Sequence, residues 1–160
     1  MLARPSMLIG ALCLTFLAVA ATGCDPSQDE DIGGAEAQPF VDGVAKDTEG
    51  GAFRVTLTSR DGLAVGDNGL IVRVGFHDPN DPLAPGRGIP EAEVQLDGWT
   101  SLGEFATSVG DPVYLGDGEY FFEDLELAEG GVWNFDISIA VGATMDESVS
   151  FAFVIPDEDM

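Results

Sequence analysis

The segment WNFDISIAV, residues 133–141, alternates apolar side chains with polar or small ones along its whole length. Successive side chains of a β-strand point to opposite faces, so Trp133, Phe135, Ile137, Ile139 and Val141 fall on one face. A period of two over nine residues indicates a strand with one buried face. This strand needs a second apolar surface against which to pack.

The same period of two recurs along the chain from Phe53 onward, and no segment has a helical period. The apolar alternations begin at Phe53, Leu70, Ala92, Val113, Tyr120, Trp133 and Val149. After Phe122 the alternation resumes at Leu125 on the opposite parity, which predicts a bulge or break near Glu123-Asp124. About seven strands with one apolar face each predict an all-β, immunoglobulin-like β-sandwich, with a barrel as the alternative.

The charge of the chain excludes several classes of partner. Its 160 residues include 29 Asp and Glu against 6 Lys and Arg, a formal net charge of -23. Such a chain repels nucleic acid and anionic lipid headgroups. The apolar content of 45% is nevertheless that of a globular protein. We therefore expect a folded acidic domain that binds no nucleic acid.

The N-terminal segment has the pattern of an export signal. Residues 7–21 form a nearly unbroken apolar run that is too short to span a membrane comfortably. The sequence Ala21-Thr22-Gly23-Cys24 that follows resembles the lipobox of bacterial lipoproteins, with Ala21 at the position where Leu is usual. The resemblance implies that residues 1–23 are a lipoprotein signal peptide and that Cys24 is lipidated after cleavage. A plain secretory signal is the alternative.

Residues 24–50 lack apolar periodicity, and acids cluster among them. This composition predicts a flexible acidic linker with a reach of roughly 30 Å. The lipobox resemblance implies that this linker is lipid-anchored at Cys24. The β-sandwich is predicted to span residues 51–157. Within it, the loop 78–90 contains four prolines, which predict an ordered, stiff surface loop.

Several motifs occur in an order that resembles a known family. The run 74–79, VGFHDP, precedes 88–94, GIPEAEV; Gly118-Glu119-Tyr120 and Gly131-Val132-Trp133 follow. This order over residues 52–155 resembles the YtkA-like domain, related to FixH, of bacterial exported proteins. Many members carry a Met-Pro-x-Met-Gly-His type segment that suits Cu(I), and the family is associated with copper and respiratory-oxidase assembly.

The corresponding segment here is Trp99–Phe105, in which the Met/Met/His set is degenerate. Thr100 and Leu102 stand at the Met positions and Glu104 stands at the His position. Neither Thr nor Leu is a useful copper ligand. The resemblance therefore implies the fold and the exported location, while the copper ligands are missing.

Other chemistry is scarce. His77, predicted on the outward face with Arg73, is a weak candidate metal ligand together with Asp78 or Asp81. An ordinary surface histidine is the simpler interpretation. No Ser, Cys or Lys has a neighbouring base in a recognisable motif, so no catalytic residue and no enzymatic activity are predicted.

These observations predict an exported, lipid-anchored and non-catalytic binding module of the bacterial cell envelope, on the periplasmic face or the cell surface. No cofactor is expected, and the expected partner is another envelope protein. The first alternative is a copper-handling or oxidase-assembly accessory protein with a divergent metal site. The second alternative is a structural or adhesion subunit of the envelope.

The lipid anchor can be tested at its cysteine. The Cys24→Ser variant should lose lipid labelling and leave the membrane fraction, because its attachment sulfur is gone. The Cys13→Ser variant should remain membrane-bound, since Cys13 lies in the segment predicted to be removed. A Cys24→Ser protein that still fractionates with membranes would disprove the anchor.

Overall fold

The computed structural model describes residues 36–101, 103, 106–143 and 145–157, and this part of the chain is built entirely from strands and loops. None of the described residues forms a helix that is long and apolar enough to cross a membrane. The strands are β1 (Gln38–Pro39), β2 (Val44–Asp47), β3 (Phe53–Thr58), β4 (Gly66–Phe76), β5 (Glu93–Thr100), β6 (Ala106–Ser108), β7 (Val113–Gly116), β8 (Glu119–Leu127), β9 (Gly131–Val141) and β10 (Met145–Ile155).

The strands form two five-stranded sheets. The first sheet has the order β1-β10-β9-β5-β6, and the second has the order β2-β3-β4-β8-β7. All neighbours are antiparallel except β1 and β10. The inward faces of both sheets meet in one apolar core. The prediction of an immunoglobulin-like β-sandwich is confirmed.

The core follows the predicted alternation. In β9, the side chains of Trp133, Phe135, Ile137 and Ile139 are fully buried, and the residues between them are partly exposed. Burying each large apolar side chain contributes about 1.5–3 kcal/mol relative to leaving it in water. Since β9 lies in the middle of the first sheet, these side chains form the centre of the sandwich.

The predicted irregularity near Glu123-Asp124 is confirmed as a bulge in β8. Asn68 lies opposite Leu125 and Leu70 lies opposite Phe122, so β8 has one more residue than β4 across this interval. Both Glu123 and Asp124 are exposed. The extra residue returns Leu125 to the buried face, which explains the change of parity.

The linker prediction is wrong for its C-terminal part. Residues 38–39 and 44–47, inside the predicted linker 24–50, form β1 and β2 and pair with β10 and β3. Strands of two and four residues are too short to give a periodic signal, and their pairing partners lie far along the chain. Residues 24–35 of the linker, Cys24 and the signal segment 1–23 lie outside the described residues.

The turn that joins β2 to β3 is attached to the other sheet. The hydroxyl of buried Thr48 donates a hydrogen bond to the carboxylate of Glu147 in β10. The same carboxylate accepts from the backbone N–H of Ala52 at 3.2 Å, and the N–H of Glu49 donates to Ser148 O at 3.0 Å. These bonds join the two sheets at one end of the sandwich.

The proline-rich loop 78–90 is hydrogen-bonded to β4, in agreement with the prediction that it is ordered. Arg73 donates to Pro85 O at 2.7 Å and to Gly86 O at 3.0 Å. Backbone hydrogen bonds from Phe76 to Arg87 and from Ile89 to Val74 continue the contact. A Cβ atom at Gly88 would lie 2.1 Å from Asp117 O, so only glycine fits there. This attachment fixes the position of Ile89–Ala92, the residues immediately before β5.

Candidate functional site

The segment aligned with the copper motif does not provide a copper site in the described part of the chain. Thr100 is the last residue of β5, lies opposite Trp133 and is 4% exposed. Its hydroxyl oxygen has no hydrogen-bond partner among the residues that the structure describes. A hydroxyl is a hard oxygen ligand and Cu(I) prefers soft sulfur, so Thr100 does not fit that metal. Leu102 and Glu104 lie outside the described residues.

His77 lies on the outer face of the second sheet. Its side chain contacts Asp47 rather than the predicted Asp78 or Asp81. Its Nδ1 is 3.1 Å from Asp47 Oδ1, which also accepts a hydrogen bond from Arg54 at 2.8 Å. The two atoms are within ion-pair distance, although the contact is not aligned as a hydrogen bond. Asp47 Oδ1 therefore contacts both the Arg54 guanidinium and the His77 imidazole.

The carboxylate of Asp78 is instead part of its own turn. It accepts hydrogen bonds from the backbone N–H of Asn80 at 2.9 Å and from the Asn80 side-chain amide at 3.1 Å. These two bonds hold the pKa of the Asp78 carboxyl below its ordinary value. Across the described residues, no group of three or more His, Cys, Asp or Glu is arranged to hold a metal ion.

A concave cleft lies beside β5, outside those positions. The β5 cleft is defined here by the residues Glu91–Gln95, Asp111, Pro112, Tyr114 and Tyr120, and it has a volume of about 340 Å³. An adjoining cavity of about 180 Å³ shares Val94, Gln95, Asp111 and Pro112 with it. Because the second cavity extends to Asp97, the two follow β5 for most of its length.

The cleft exists because β6 is short. β6 pairs with β5 only over Asp97–Trp99, while β9 pairs with β5 over Glu93–Thr100 on the other side. The chain then leaves the first sheet at Val109 and enters the second sheet as β7. Among the described residues, no strand pairs with Glu93–Leu96 on the side of β6. This stretch is an open sheet edge with backbone groups available for pairing.

Two tyrosines form the base of the cleft. The hydroxyl of buried Tyr120 accepts from the N–H of Ala92 at 2.8 Å and donates to Ile89 O at 2.7 Å. The Tyr114 ring lies against it with the ring centroids 5.1 Å apart. Burial raises the pKa of Tyr120, and the bond from Ala92 offsets part of that effect. Tyr120 of β8 is therefore hydrogen-bonded to the residues immediately before β5.

The walls of the cleft are acidic. Glu91, Glu93 and Asp111 line it, and none of the residues described as lining either cavity is basic. Glu93 accepts one hydrogen bond from the Gln95 amide at 3.2 Å. The cleft therefore combines an apolar base, an open strand edge and unneutralised carboxylates.

An apolar rim lies next to the cleft. The apolar rim consists of Val113, Tyr114 and Leu115 in β7, which are 56%, 44% and 52% exposed. The strand itself is predicted from sequence, but the burial of Val113 and Leu115 implied by an inward apolar set is wrong. β7 is the last strand of its sheet, so it has a neighbouring strand on one side only. Consecutive exposed apolar residues on an edge strand are typical of an interaction surface.

The sequence provides little signal for this site. Glu91 and Glu93 are interpreted from sequence as a solvated strand face, and Asp111 and Tyr114 are not singled out. The available signals are the run 88–94, which contains Glu91–Val94, and the Gly118-Glu119-Tyr120 motif, which contains the tyrosine at the base. The other components come together only because β5, β7 and β8 meet here.

Comparisons with known proteins give similar structures at low identity. No family model matches the chain, and no curated protein matches it. FetP of uropathogenic E. coli strain F11 has a TM-score of 0.49 and 14% identity, covering 74% of this chain and 96% of that one. A copper-bound Glu→Gln variant of Campylobacter jejuni P19 has a TM-score of 0.47 and 12% identity, covering 72% and 96%.

The role of the Tyr120 hydroxyl can be measured by removing it. The Tyr120→Phe variant should lose about 1–3 kcal/mol of unfolding free energy in urea, because a buried N–H and a buried carbonyl lose their partner. Tyr114→Phe is the matched control, since its hydroxyl only accepts a long 3.4 Å bond from Gly118 N. Equal effects of the two substitutions would contradict this role.

The pH dependence provides a second readout of the same variant. Burial raises the pKa of Tyr120 above its ordinary value of 10.0, so the folded state holds this proton more tightly than the unfolded state. Its contribution to stability is complete below pH 10 and is lost as the pH rises through the folded-state value. The unfolding free energy should therefore fall more steeply above pH 10 in the wild type than in Tyr120→Phe.

Proposed function

We propose that this chain is a non-catalytic protein-binding module of the bacterial cell envelope, exported and anchored by lipid at Cys24. The observation that supports binding is the apolar rim on a free edge strand beside the open β5 cleft. The lipobox-like sequence around Cys24 supports the anchor. The partner is an envelope protein that covers this side of the sandwich.

The chemistry of the described side chains supports binding rather than catalysis. The imidazole of His77, the one histidine of the chain, contacts Asp47. No described hydroxyl or amine forms a hydrogen bond to it that would make a nucleophile and base pair. The carboxylates of the cleft stand beside an open strand edge, which is an arrangement suited to holding a peptide chain.

Site-specific cross-linking in intact cells tests the proposal. A photoreactive residue at Leu115 in the apolar rim should give a discrete cross-link to a second envelope protein. Val154 is the matched control, since it is 42% exposed but lies on β10 in the other sheet. Equal labelling from both positions would contradict the rim as the interface. Cross-links solely between copies of this chain would favour the structural or adhesion subunit.

Copper handling is the second candidate, and the motifs that resemble the YtkA-like domain are the observation that favours it. Thr100 does not fit copper, so this candidate needs a divergent site. The one imidazole available for it is that of His77, beside Asp47.

Copper titration against a competing chelator separates the two candidates. For a protein-binding module, the unlipidated protein should take up Cu(I) and Cu(II) only weakly, in a salt-sensitive way, because exposed carboxylates are unselective ligands. The His77→Ala variant should then bind as much copper as the wild type. Saturable submicromolar binding that His77→Ala abolishes would establish the copper site instead.

A further inference from the structure

We propose that the open edge of β5 binds an extended segment of the partner in which basic and apolar residues alternate. The segment would add to the first sheet as a strand in line with β6. This inference rests on the proposed protein-binding function and specifies the chemistry of the partner.

The backbone of β5 is available for such pairing. Glu93–Leu96 is paired on one side with Ala140–Ile137 of β9, and its other side faces the two adjoining cavities. At about 3.3 Å per residue, this edge is roughly 13 Å long. That length accommodates about four residues of an added strand, which is the usual geometry of β-augmentation.

The alternation of β5 sets the side-chain preference. Val94 and Leu96 are buried, while Glu93, Gln95 and Asp97 are exposed on the outer face. Side chains directly opposite each other on paired strands share a face, so the outward residues of the added strand would lie opposite Glu93 and Gln95. A long basic side chain opposite Gln95 would also reach Asp97 diagonally, although Asp97 itself is paired with Ser108 of β6. Its inward residues would lie over Tyr114 and Tyr120. The edge therefore favours Lys or Arg outward and aliphatic residues inward.

Charge favours a basic partner segment over a second copy of this chain or its own N-terminal residues as the strand added to β5. A second copy of this chain would present its own acidic β5 edge, and the net charge of -23 opposes that association. The N-terminal residues 25–31, DPSQDED, contain four acids and would be repelled as well. Basic partners are instead attracted to the carboxylates that line the cleft, and this attraction falls as salt screens it.

Three matched peptides test the preference against the full-length protein in detergent. Each is seven residues long and alternates valine with lysine, with glutamine or with glutamate. The lysine peptide should bind about tenfold more tightly than the glutamine peptide, because one directly opposed charge pair with Glu93 and one diagonal pair with Asp97 are added. The glutamate peptide should bind least. On lysine-peptide binding, the amides within Glu93–Leu96 that point away from β9 should become protected from hydrogen exchange.

Charge reversal provides the decisive variant. Glu93→Lys combined with Asp97→Lys should reverse the order, so that the glutamate peptide binds more tightly than the lysine peptide. Glu123→Lys combined with Glu126→Lys changes the net charge equally at exposed positions of β8 and should preserve the original order. Thermal unfolding of both variants verifies that they fold.

The outcomes distinguish this inference from the proposed function. Equal binding of the three peptides, or protection of β7 without Glu93–Leu96, overturns the β5 assignment even when Leu115 still cross-links to a partner. Loss of the Leu115 cross-link overturns the proposed function itself. An unchanged peptide order in the charge-reversed variant shows that the attraction is non-specific and also overturns the β5 assignment.

Discussion

Burial of the inward side chains of β9 is the constraint on which the rest of the structure depends. β9 is the middle strand of the first sheet, and Trp133, Phe135, Ile137 and Ile139 are removed from water completely. A strand with a period of two has a single register that buries this set, since a slip of one residue would turn all four side chains to solvent. The register of β9 in turn sets that of β5, so that Thr100 lies opposite Trp133 and Glu93 lies opposite Ala140.

The same arrangement leaves one edge incomplete. β6 covers only the end of β5 before the chain crosses to the other sheet, and the uncovered part lies beside the apolar rim. An open edge exposes a sheet protein to pairing with its own copies. Acidic residues on the outer face of β5 discourage that pairing, because two copies would bring like charges together. In the proposed binding mode the same carboxylates attract a basic partner, so a single set of side chains would both oppose self-association and select the partner.

The motifs that resemble the YtkA-like domain show that the packing of a sandwich and the chemistry of a site can be separate. Motifs that resemble the YtkA-like domain lie at strand ends and turns of the sandwich, where Gly118 and Tyr120 hold the chain in place. Thr100, which the resemblance aligns with a methionine, has a buried hydroxyl without a hydrogen-bond partner among the described residues. A sandwich can keep its packing while one segment changes its chemistry, because the ligands of a site contribute little to the core.

The sequence alone determined the sandwich, most of its strands and the bulge at Glu123-Asp124, because alternation and its change of parity are local properties of the chain. Tertiary structure decided the features that depend on pairing partners. The entry of residues 38–47 into the sheets, the contact of His77 with Asp47 rather than Asp78, and the exposure of Val113 and Leu115 all belong to this group. The β5 cleft joins residues from 91–95 and 111–120, and it exists because β6 ends before β5 is covered. No local pattern encodes where a neighbouring strand stops. The candidate site therefore could not be predicted from the sequence.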